Sequence, residues 1–471
     1  RLNEERTAAL YEGVWEPLTI HREEIDVRGR TEPEVLEVRE TRHGPILDSY
    51  LVGAGLQTIV EGRIEETYAL RWTGHEFGTP PSASFGMATA RSFDEFREAA
   101  RDWGCPGQNI VYADIDGTIG YQCTGRHPIR RRGDGTLPVP GWTSEFEWDG
   151  YIPFEELPWS ANPEEGFLAT ANNKIHDDSY PHLIGRDFLP PYRVRRIVEL
   201  IASTDEHSPD TFAAMQMDTV SIPAREMARH LRTVEPETDR QREALALLEG
   251  WDGDLAADSA AACLYEVWSK HMAREILLPT LGDDLFTHYY GQRQLTNAFQ
   301  VQVLPSLLAY PSARWFGRPG KQARNEVLRV ALDAAIEDLS AQLGAEPSRW
   351  RWGALHKIVF ASPLAMIGDL APLFTAGEAE LGGDEQTICQ GVFDPGHSYE
   401  PVIIPSWRQI IDLSDLDASV GVHTTGQSGH PASPHWNDQV QLWASGEYHP
   451  LPITRKAVEA VTESAMALVP R

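Results

Sequence analysis

Membrane-length apolar runs and closely paired cysteines are both missing from this sequence. No apolar run reaches the ~18 residues that a membrane helix needs, so we predict no membrane span. The four cysteines, Cys105, Cys123, Cys263 and Cys389, form no C-x-x-C pair. The sequence therefore indicates neither a structural zinc site nor a redox motif, and it leaves one disulfide or free buried thiols as alternatives.

Basic residues are also few relative to acidic ones. The chain has 41 basic residues against 70 acidic ones, a formal net charge of −29, and only five of the basic residues are lysines. Such an acidic surface repels phosphate backbones, which predicts that nucleic acid is not a partner. The acidic, arginine-rich composition fits adaptation to high salt, and it also fits GC-rich coding.

No secretory leader is visible at the start of the sequence. Residues 1–6 read RLNEER, a charged run, and the first residue is not methionine. A leader would instead combine a short basic region with an apolar stretch. We expect either that a segment has been cleaved from the front or that the sequence is a fragment.

Hydrophobic periodicity predicts strands, then helices, then strands again. Residues 11–72 are expected to be β-rich, with strands at 36–39 and 68–72, and residues 109–122 read as a hairpin around Asp116-Gly117. A helix is predicted over 93–103, a loop system over 126–166 and a buried strand over 167–171. Helices are predicted at 193–201, 209–217, 223–231, 240–248 and 322–343, strands at 402–405, 407–413 and 420–422, and a closing helix at 454–467.

These elements predict an α+β fold of 471 residues. We interpret residues 1–471 as one layered domain with a mainly helical insertion over about 191–345. The length and the 41% hydrophobic content are ample for a large core.

Six segments, in this order and spacing, resemble the large β subunit of the penicillin acylase family of N-terminal-nucleophile (Ntn) hydrolases. They are 41–47 (TRHGPIL), 112–121 (YADIDGTIGY), 137–142 (LPVPGW), 169–173 (ATANN), 192–197 (YRVRRI) and 426–439 (GQSGHPASPHWNDQ). The resemblance implies an Ntn-hydrolase αββα four-layer sandwich, incomplete at its N-terminus. It also implies a precursor that cuts itself and a small α subunit from the same precursor as partner.

The chemistry implied by this resemblance begins with a serine at the new N-terminus of the β chain. A serine hydroxyl needs a base, and a free α-amine, with a pKa of roughly 7.7–8.0, can act as one near neutral pH. Arg1 cannot be that nucleophile. In the family the segment similar to Arg42-His43-Gly44-Pro45 lies far downstream of the serine, so we expect the serine and the backbone oxyanion donor after it to be absent from this chain. The chain alone is then expected to be inactive.

Two catalytic candidates are implied by the family motifs. Asn172 matches the side-chain amide of the oxyanion hole, at the end of the predicted strand, and Asn173 is its neighbouring alternative. An Asx turn that closes the strand is the structural interpretation of Asn172. Arg193 matches an arginine near the family's active site, and a helix-surface ion pair is its structural interpretation.

Family members often bind a structural calcium ion, and the resemblance makes Asp178 the metal-ligand candidate. Residues 176–181 (HDDSYP) supply hard oxygen atoms of the right kind. A solvated loop is the alternative interpretation of these residues. No cofactor is expected to be required for the reaction.

Two competing signals lie near residue 428. Gly426-Gln427-Ser428-Gly429-His430 is not G-x-S-x-G, so a hydrolase elbow is not specified and we interpret it as a structural loop. His423, His430 and His435 lack a zinc-binding spacing, and loop histidines explain them.

Taken with the resemblance, these residues predict an amidohydrolase that acts on linear acyl amides. The substrate would be a β-lactam side chain, an acyl-homoserine lactone or a similar small molecule. A non-catalytic relative or orphan subunit that binds acylated small molecules is the alternative, and a conventional serine hydrolase using Ser428 is a third. Relatives are usually exported, so we expect an extracytoplasmic location.

Overall fold

The chain groups into two compact units. The computed structural model describes residues 1–47, 67–76, 80–290 and 298–469. Unit 1 comprises Arg1–Thr170 and Lys174–Phe188, and unit 2 comprises Ala171–Asn173 and Leu189–Arg471. The single domain over 1–471 stays a prediction. All four cysteines are free thiols, which settles the disulfide alternative.

Unit 1 is built mainly from short antiparallel strands. The strands are β1 (Ala8–Tyr11), β2 (Val14–Pro17), β3 (Thr19–Ile25), β4 (Glu34–Thr41), β5 (Gly44–Pro45), β6 (Asn109–Ala113), β7 (Ile119–Cys123), β8 (Pro128–Arg130), β9 (Trp148–Tyr151) and β10 (Trp159–Ala161). They pair in the orders β1-β2, β3-β4-β5, β10-β7-β6 and β8-β9.

Several strand predictions can be compared with unit 1. The strand around Leu36 is confirmed as part of β4. The hairpin is confirmed as β6 and β7. In the turn between them, the Asp114 carboxylate accepts hydrogen bonds from the Asp116 and Thr118 N–H groups. The strand over 68–72 is wrong, because only Ala69 forms a bridge, to Ile46, before a 3-10 turn begins at Thr73. Residues 48–66 of the predicted β-rich region lie outside the described part of the chain.

Two helices accompany these strands, α1 (Pro80–Thr89) and α2 (Phe93–Ala100). The second confirms the predicted helix and its cap, because Ser92 is extended and its Oγ accepts a hydrogen bond from the Glu95 N–H at 3.2 Å. The buried face of α2 carries Phe93 and Phe96. A capping serine satisfies one of the N–H groups that have no partner inside a helix.

Replacing Ser92 with alanine is expected to lower the free energy of unfolding by about 1 kcal/mol, because the Glu95 N–H loses its acceptor. Urea unfolding measures the change. Ser84→Ala is the matched control, since Ser84 is exposed inside α1 and its hydroxyl only donates back to the Pro80 carbonyl. Equal losses in both variants would contradict a capping role for Ser92.

Unit 2 begins with a predominantly helical region. Caps define its first helices: the Oγ atoms of Ser208, Ser221 and Thr238 each accept a hydrogen bond from a backbone N–H in the first turn. The helices are α3 (Tyr192–Ile201), α4 (Pro209–Gln216), α5 (Ile222–Leu231), α6 (Asp239–Ala246), α7 (Ala260–Tyr290), α8 (Ala298–Ala309), α9 (Ala313–Phe316), α10 (Lys321–Leu343) and α11 (Trp352–Leu355). The five predicted helical segments are confirmed in α3, α4, α5, α6 and α10.

The core of unit 2 lies around α7, which packs against α10. The buried residues of α10 recur every three or four positions, which is the spacing of one helix face. They are Ala323, Arg324, Leu328, Ala331, Leu332, Ala335, Ile336 and Leu339. Trp268 of α7 is fully buried, and its indole N–H donates to the Leu328 carbonyl at 3.3 Å. Within the described ranges, no helix has both the length and the apolar composition to cross a bilayer.

The C-terminal part of unit 2 returns to short antiparallel strands, paired as β11-β12, β13-β14 and β15-β16-β17. The predicted strands appear as β14, β15 and β16, with β15 ending at Ile410 rather than at 413. The closing helix is shorter than predicted, because the backbone of Thr462 is extended. The elements are β11 (Lys357–Ala361), α12 (Ala371–Phe374), β12 (Thr375–Glu380), β13 (Val392–Phe393), β14 (Pro401–Ile403), β15 (Trp407–Ile410), β16 (Val420–His423), α13 (Val440–Ser445), β17 (His449–Pro450) and α14 (Arg455–Val461).

Candidate active site

Asn172 sits in an irregular segment, not at the end of a strand. The predicted buried strand over 167–171 is wrong, since residues 167–173 pair with no strand and Asn172 itself is exposed. The φ angle of Asn172 is 62°, in the left-handed region, which an extended strand cannot include. Asparagine is among the few non-glycine residues that adopt this conformation readily. The turn is fixed by the Leu189 N–H, which donates to the Asn172 carbonyl at 3.0 Å.

The side chain of Asn172 is held by Arg193, the second residue of α3. Arg193 Nη2 donates to Asn172 Oδ1 at 2.8 Å. A guanidinium has donors only, so the amide oxygen must face Arg193 and the amide nitrogen Nδ2 must face away from it. None of the residues in the described ranges accepts a hydrogen bond from Nδ2. The structure therefore brings both catalytic candidates together and leaves one amide group available as a donor.

The neighbouring amide, Asn173, has a different environment. Its Oδ1 accepts a hydrogen bond from the Ala171 N–H at 3.1 Å. This is a local side-chain-to-backbone bond that reaches two residues back along the chain, unlike an Asx turn, which reaches two residues forward. The geometry thus favours Asn172 over Asn173 as the outward donor, although the catalytic role itself stays a prediction.

Buried carboxyl groups act electrostatically on Arg193. Burial lowers the pKa of the guanidinium, and the carboxylates of Glu385 and Asp384 raise it. Arg193 is therefore not the exposed helix-surface ion pair of the structural interpretation. It orients the Asn172 amide, and the charges of Glu385 and Asp384 favour its own positive charge.

Asp384 is a buried carboxylate that the sequence did not single out. It is 7% exposed. The Ser221 hydroxyl donates to its Oδ2 at 3.0 Å, and the Gln386 N–H donates to its Oδ1 at 2.6 Å. Burial raises its pKa to about 6, although these hydrogen bonds and the charge of Arg193 act in the opposite direction. The glycine pair directly before Asp384 was the available signal of a tight, specialised loop.

Glu266, on α7, is a second buried carboxyl group beside Asp384. It is 6% exposed, and its Oε1 has no hydrogen-bond partner among the described residues. Burial raises its pKa well above the usual range, and the nearby Asp384 raises it further. Its surroundings therefore favour the neutral carboxylic acid over the carboxylate. Its position inside a long buried helix gave no sequence signal.

Asp178 lies in unit 1, in an exposed loop. Its Oδ1 pairs with Lys174 Nζ at 2.5 Å, and its side chain is 98% exposed. The described residues contain no group of three His, Cys, Asp or Glu side chains that could hold a metal ion. Calcium prefers six to eight oxygen ligands, which this loop does not assemble from its own side chains. Asp178 as a calcium ligand stays a prediction.

Ser428 occupies an irregular loop between β16 and α13. Its N–H donates to the His435 carbonyl at 3.0 Å, and its Oγ accepts from the His430 N–H at 3.1 Å. Within the described part of the chain, no histidine ring lies within hydrogen-bond distance of Ser428 Oγ. The ring of His435 pairs with Asp438 instead, at 2.8 Å. This geometry gives the conventional serine-hydrolase alternative no support.

Known proteins resemble this chain over nearly its whole length. The family described as penicillin amidase matches residues 1–460. Acyl-homoserine lactone acylase QuiP of Pseudomonas aeruginosa is 29% identical over 96% of this chain and 57% of its own length. Penicillin acylase 2 proenzyme of Pseudomonas sp. strain SE83 is 31% identical over 98% of this chain and 58% of its own length. The chain thus spans a little over half the length of these curated relatives.

A solved structure shares the fold. The thermostable penicillin G acylase of Alcaligenes faecalis matches 100% of this chain and 85% of its own chain with a TM-score of 0.70, at 22% sequence identity. This likeness, together with the mixture of helices and strands, confirms the predicted α+β Ntn-hydrolase fold class.

Proposed function

This chain belongs to the penicillin amidase family, and we propose that it forms part of an amidohydrolase that cleaves linear acyl amides through an N-terminal serine. The Asn172–Arg193 pair is the observation that carries the proposal. Its geometry offers a neutral N–H donor in an exposed position, with the amide orientation fixed by a positive charge. A preorganised neutral donor of this type is what an oxyanion requires.

In the proposed reaction, the serine Oγ bonds to the acyl carbonyl carbon while its proton passes to the α-amine. The carbonyl π electrons move onto oxygen, and Asn172 Nδ2 and a backbone N–H donate to the resulting oxyanion. Collapse of this tetrahedral intermediate breaks the C–N bond, the leaving amine nitrogen takes the proton from the α-ammonium group, and an acyl-enzyme remains. Water then attacks the acyl-enzyme by the same path. The serine and the backbone donor are proposed to lie outside the 471 residues.

The proposed substrates are small acyl amides, either the side chain of a β-lactam or an acyl-homoserine lactone. The names of the relatives support both classes: acyl-homoserine lactone acylase and penicillin acylase. A small α subunit from the same precursor is proposed as partner, since one relative is named a proenzyme. An extracytoplasmic location is proposed from the family resemblance alone.

Purification of the protein from its full native coding sequence tests this function. We expect N-terminal sequencing and intact mass to give two chains, the larger beginning with serine upstream of Arg1. We expect mass spectrometry to detect free amine released from benzylpenicillin or from acyl-homoserine lactones of different chain lengths. Precursor in which that serine is replaced by alanine is the control. A mature chain that begins at Arg1 and hydrolyses none of these amides would support the non-catalytic alternative instead.

A further inference from the structure

Helix α3 carries two arginines that lie one turn apart and bind different partners. Arg193, its second residue, donates to Asn172 Oδ1 at 2.8 Å. Arg196, three residues later, binds Asp218, which lies in the segment between α4 and α5. Residues three positions apart in a helix are neighbours on its surface. A contact that fixes Arg196 therefore also fixes the turn of α3 that carries Arg193.

The ion pair between Arg196 and Asp218 is bidentate and largely buried. Arg196 Nε donates to Asp218 Oδ1 at 2.9 Å, and Arg196 Nη2 donates to Asp218 Oδ2 at 2.7 Å. The two side chains are 17% and 12% exposed. The third nitrogen, Nη1, donates to Glu199 Oε2 at 3.2 Å. Two parallel bonds fix the orientation of a guanidinium as well as its distance, which a single contact does not.

Asp218 is itself held in place by backbone contacts. Its N–H donates to the Met215 carbonyl in α4 at 3.2 Å, and its carbonyl accepts from the Cys389 N–H at 2.9 Å. Its Oδ1 also accepts from the Val220 N–H at 3.3 Å. The ion pair therefore joins α3 to a segment that is bonded to two other parts of unit 2.

The contact between α3 and Asn172 depends on where α3 lies. The Leu189 N–H, three residues before α3, fixes the backbone of Asn172 by donating to its carbonyl at 3.0 Å. This bond leaves the side-chain amide free to turn, so Arg193 alone sets which way Oδ1 and Nδ2 point. A displacement of α3 by about 1 Å away from Asn172 would take the 2.8 Å contact beyond hydrogen-bond distance.

We propose that Asp218 is a positioning residue for amide hydrolysis: by binding Arg196, it holds α3 where Arg193 keeps the Asn172 amide with Nδ2 directed outward. This inference rests on the proposed function. Each step is either a direct hydrogen bond or one turn of a single helix, and all of them lie within unit 2. In this arrangement Asp218 acts through Arg196 and does not touch the substrate.

Asp218→Asn in the full-length mature protein tests the inference, because it keeps the size of the side chain and removes the charge. We expect kcat to fall about tenfold with KM little changed, since a misplaced oxyanion donor weakens binding of the transition state more than that of the substrate. In the crystal structure of the variant, we expect the distance from Arg193 Nη2 to Asn172 Oδ1 to exceed 3.5 Å. Glu226→Gln is the matched control. It removes a more exposed ion pair of α3, in which Glu226 and Arg195 approach to 3.9 Å, and it is expected to leave kcat and this distance unchanged.

A double-mutant cycle separates positioning from a general structural role. Once Asn172→Gly is present, no donor is left to misplace, so Asp218→Asn is expected to lower kcat by less than about twofold. Two full losses that multiply would overturn the proposal, because Asp218 would then act without Asn172. An intact contact between Arg193 and Asn172 in the Asp218→Asn crystal structure would overturn it as well.

Arg196→Lys repeats the test if Asp218→Asn fails to fold. Lysine keeps the positive charge but cannot form two parallel bonds to a carboxylate, so we expect a smaller loss of kcat that also disappears in the Asn172→Gly background. A loss that persists there would contradict positioning. If the native protein hydrolyses no amide, the crystallographic distance still decides whether Asp218 positions Arg193, while the proposed function fails separately.

Discussion

Removing the Asn172 side chain is expected to lower kcat for amide hydrolysis by about 10²–10³, with KM changed much less. The loss falls on kcat because Nδ2 is proposed to donate to the oxyanion, which exists only in the transition state and the tetrahedral intermediate. Asn172→Gly is the informative replacement. The φ angle of 62° is free of strain for glycine, whereas alanine would add a backbone cost of about 1 kcal/mol.

A second variant separates the donor from the side-chain volume. Asn172→Asp keeps an oxygen that can accept from Arg193, but it has no N–H and adds negative charge where the oxyanion forms. We expect it to lose at least as much activity as Asn172→Gly, with no greater loss of stability. Steady-state kinetics on one chromogenic acyl amide, together with urea unfolding, measure both quantities. If Asn172→Gly kept kcat within about threefold of the native protein, the oxyanion donor would have to be another group.

Helices with a clear start were predictable from the sequence. Ser92, Ser208 and Thr238 each cap a helix, because the side-chain oxygen accepts a hydrogen bond from a backbone N–H of the first turn. By contrast, α7 was missed. Its first turns are buried on all sides and lack a polar stripe, and Pro279 and the kink at Gly282 interrupt the helical pattern. The signals that define an amphipathic helix are absent from such a segment.

The strand predicted over 167–171 shows why short apolar runs mislead. Residues 167–170 are apolar or β-branched, but they are only partly buried and no neighbouring strand pairs with them. Strand formation depends on a partner that local sequence does not reveal. The left-handed Asn172 then turns the chain.

The candidate site was predictable only in part. Asn172 and Arg193 were identified through family motifs, and their contact could not be derived from sequence spacing because a long irregular segment separates them. Asp384 and Glu266 were missed for a different reason. Charged residues are ordinarily exposed, and only the fold reveals that these two carboxyl groups lie in the interior.

Asp384→Asn is expected to change how stability depends on pH. In the unfolded chain an aspartate has a pKa of about 3.9, whereas burial raises that of Asp384 to about 6 in the folded protein. Between about pH 4 and pH 6 the folded state therefore keeps a proton that the unfolded chain has released. The contribution of Asp384 to the free energy of unfolding therefore falls across this window as pH rises, by ~3 kcal/mol in total, and the loss persists at higher pH.

Asparagine resembles the protonated aspartate and does not titrate. The free energy of unfolding of the variant therefore does not include this decrease with rising pH. The free energy of unfolding of Asp384→Asn minus that of the native protein is expected to be about 2–3 kcal/mol larger at pH 8 than at pH 4. Urea unfolding of both proteins at both pH values measures this change. Asp205→Asn, at an exposed aspartate after α3, is the control and should show no such trend. A variant that is less stable than the native protein by the same amount at both pH values would indicate a purely structural carboxylate. A stability gain that appears only as pH rises would instead show that the buried negative charge of Asp384 costs stability.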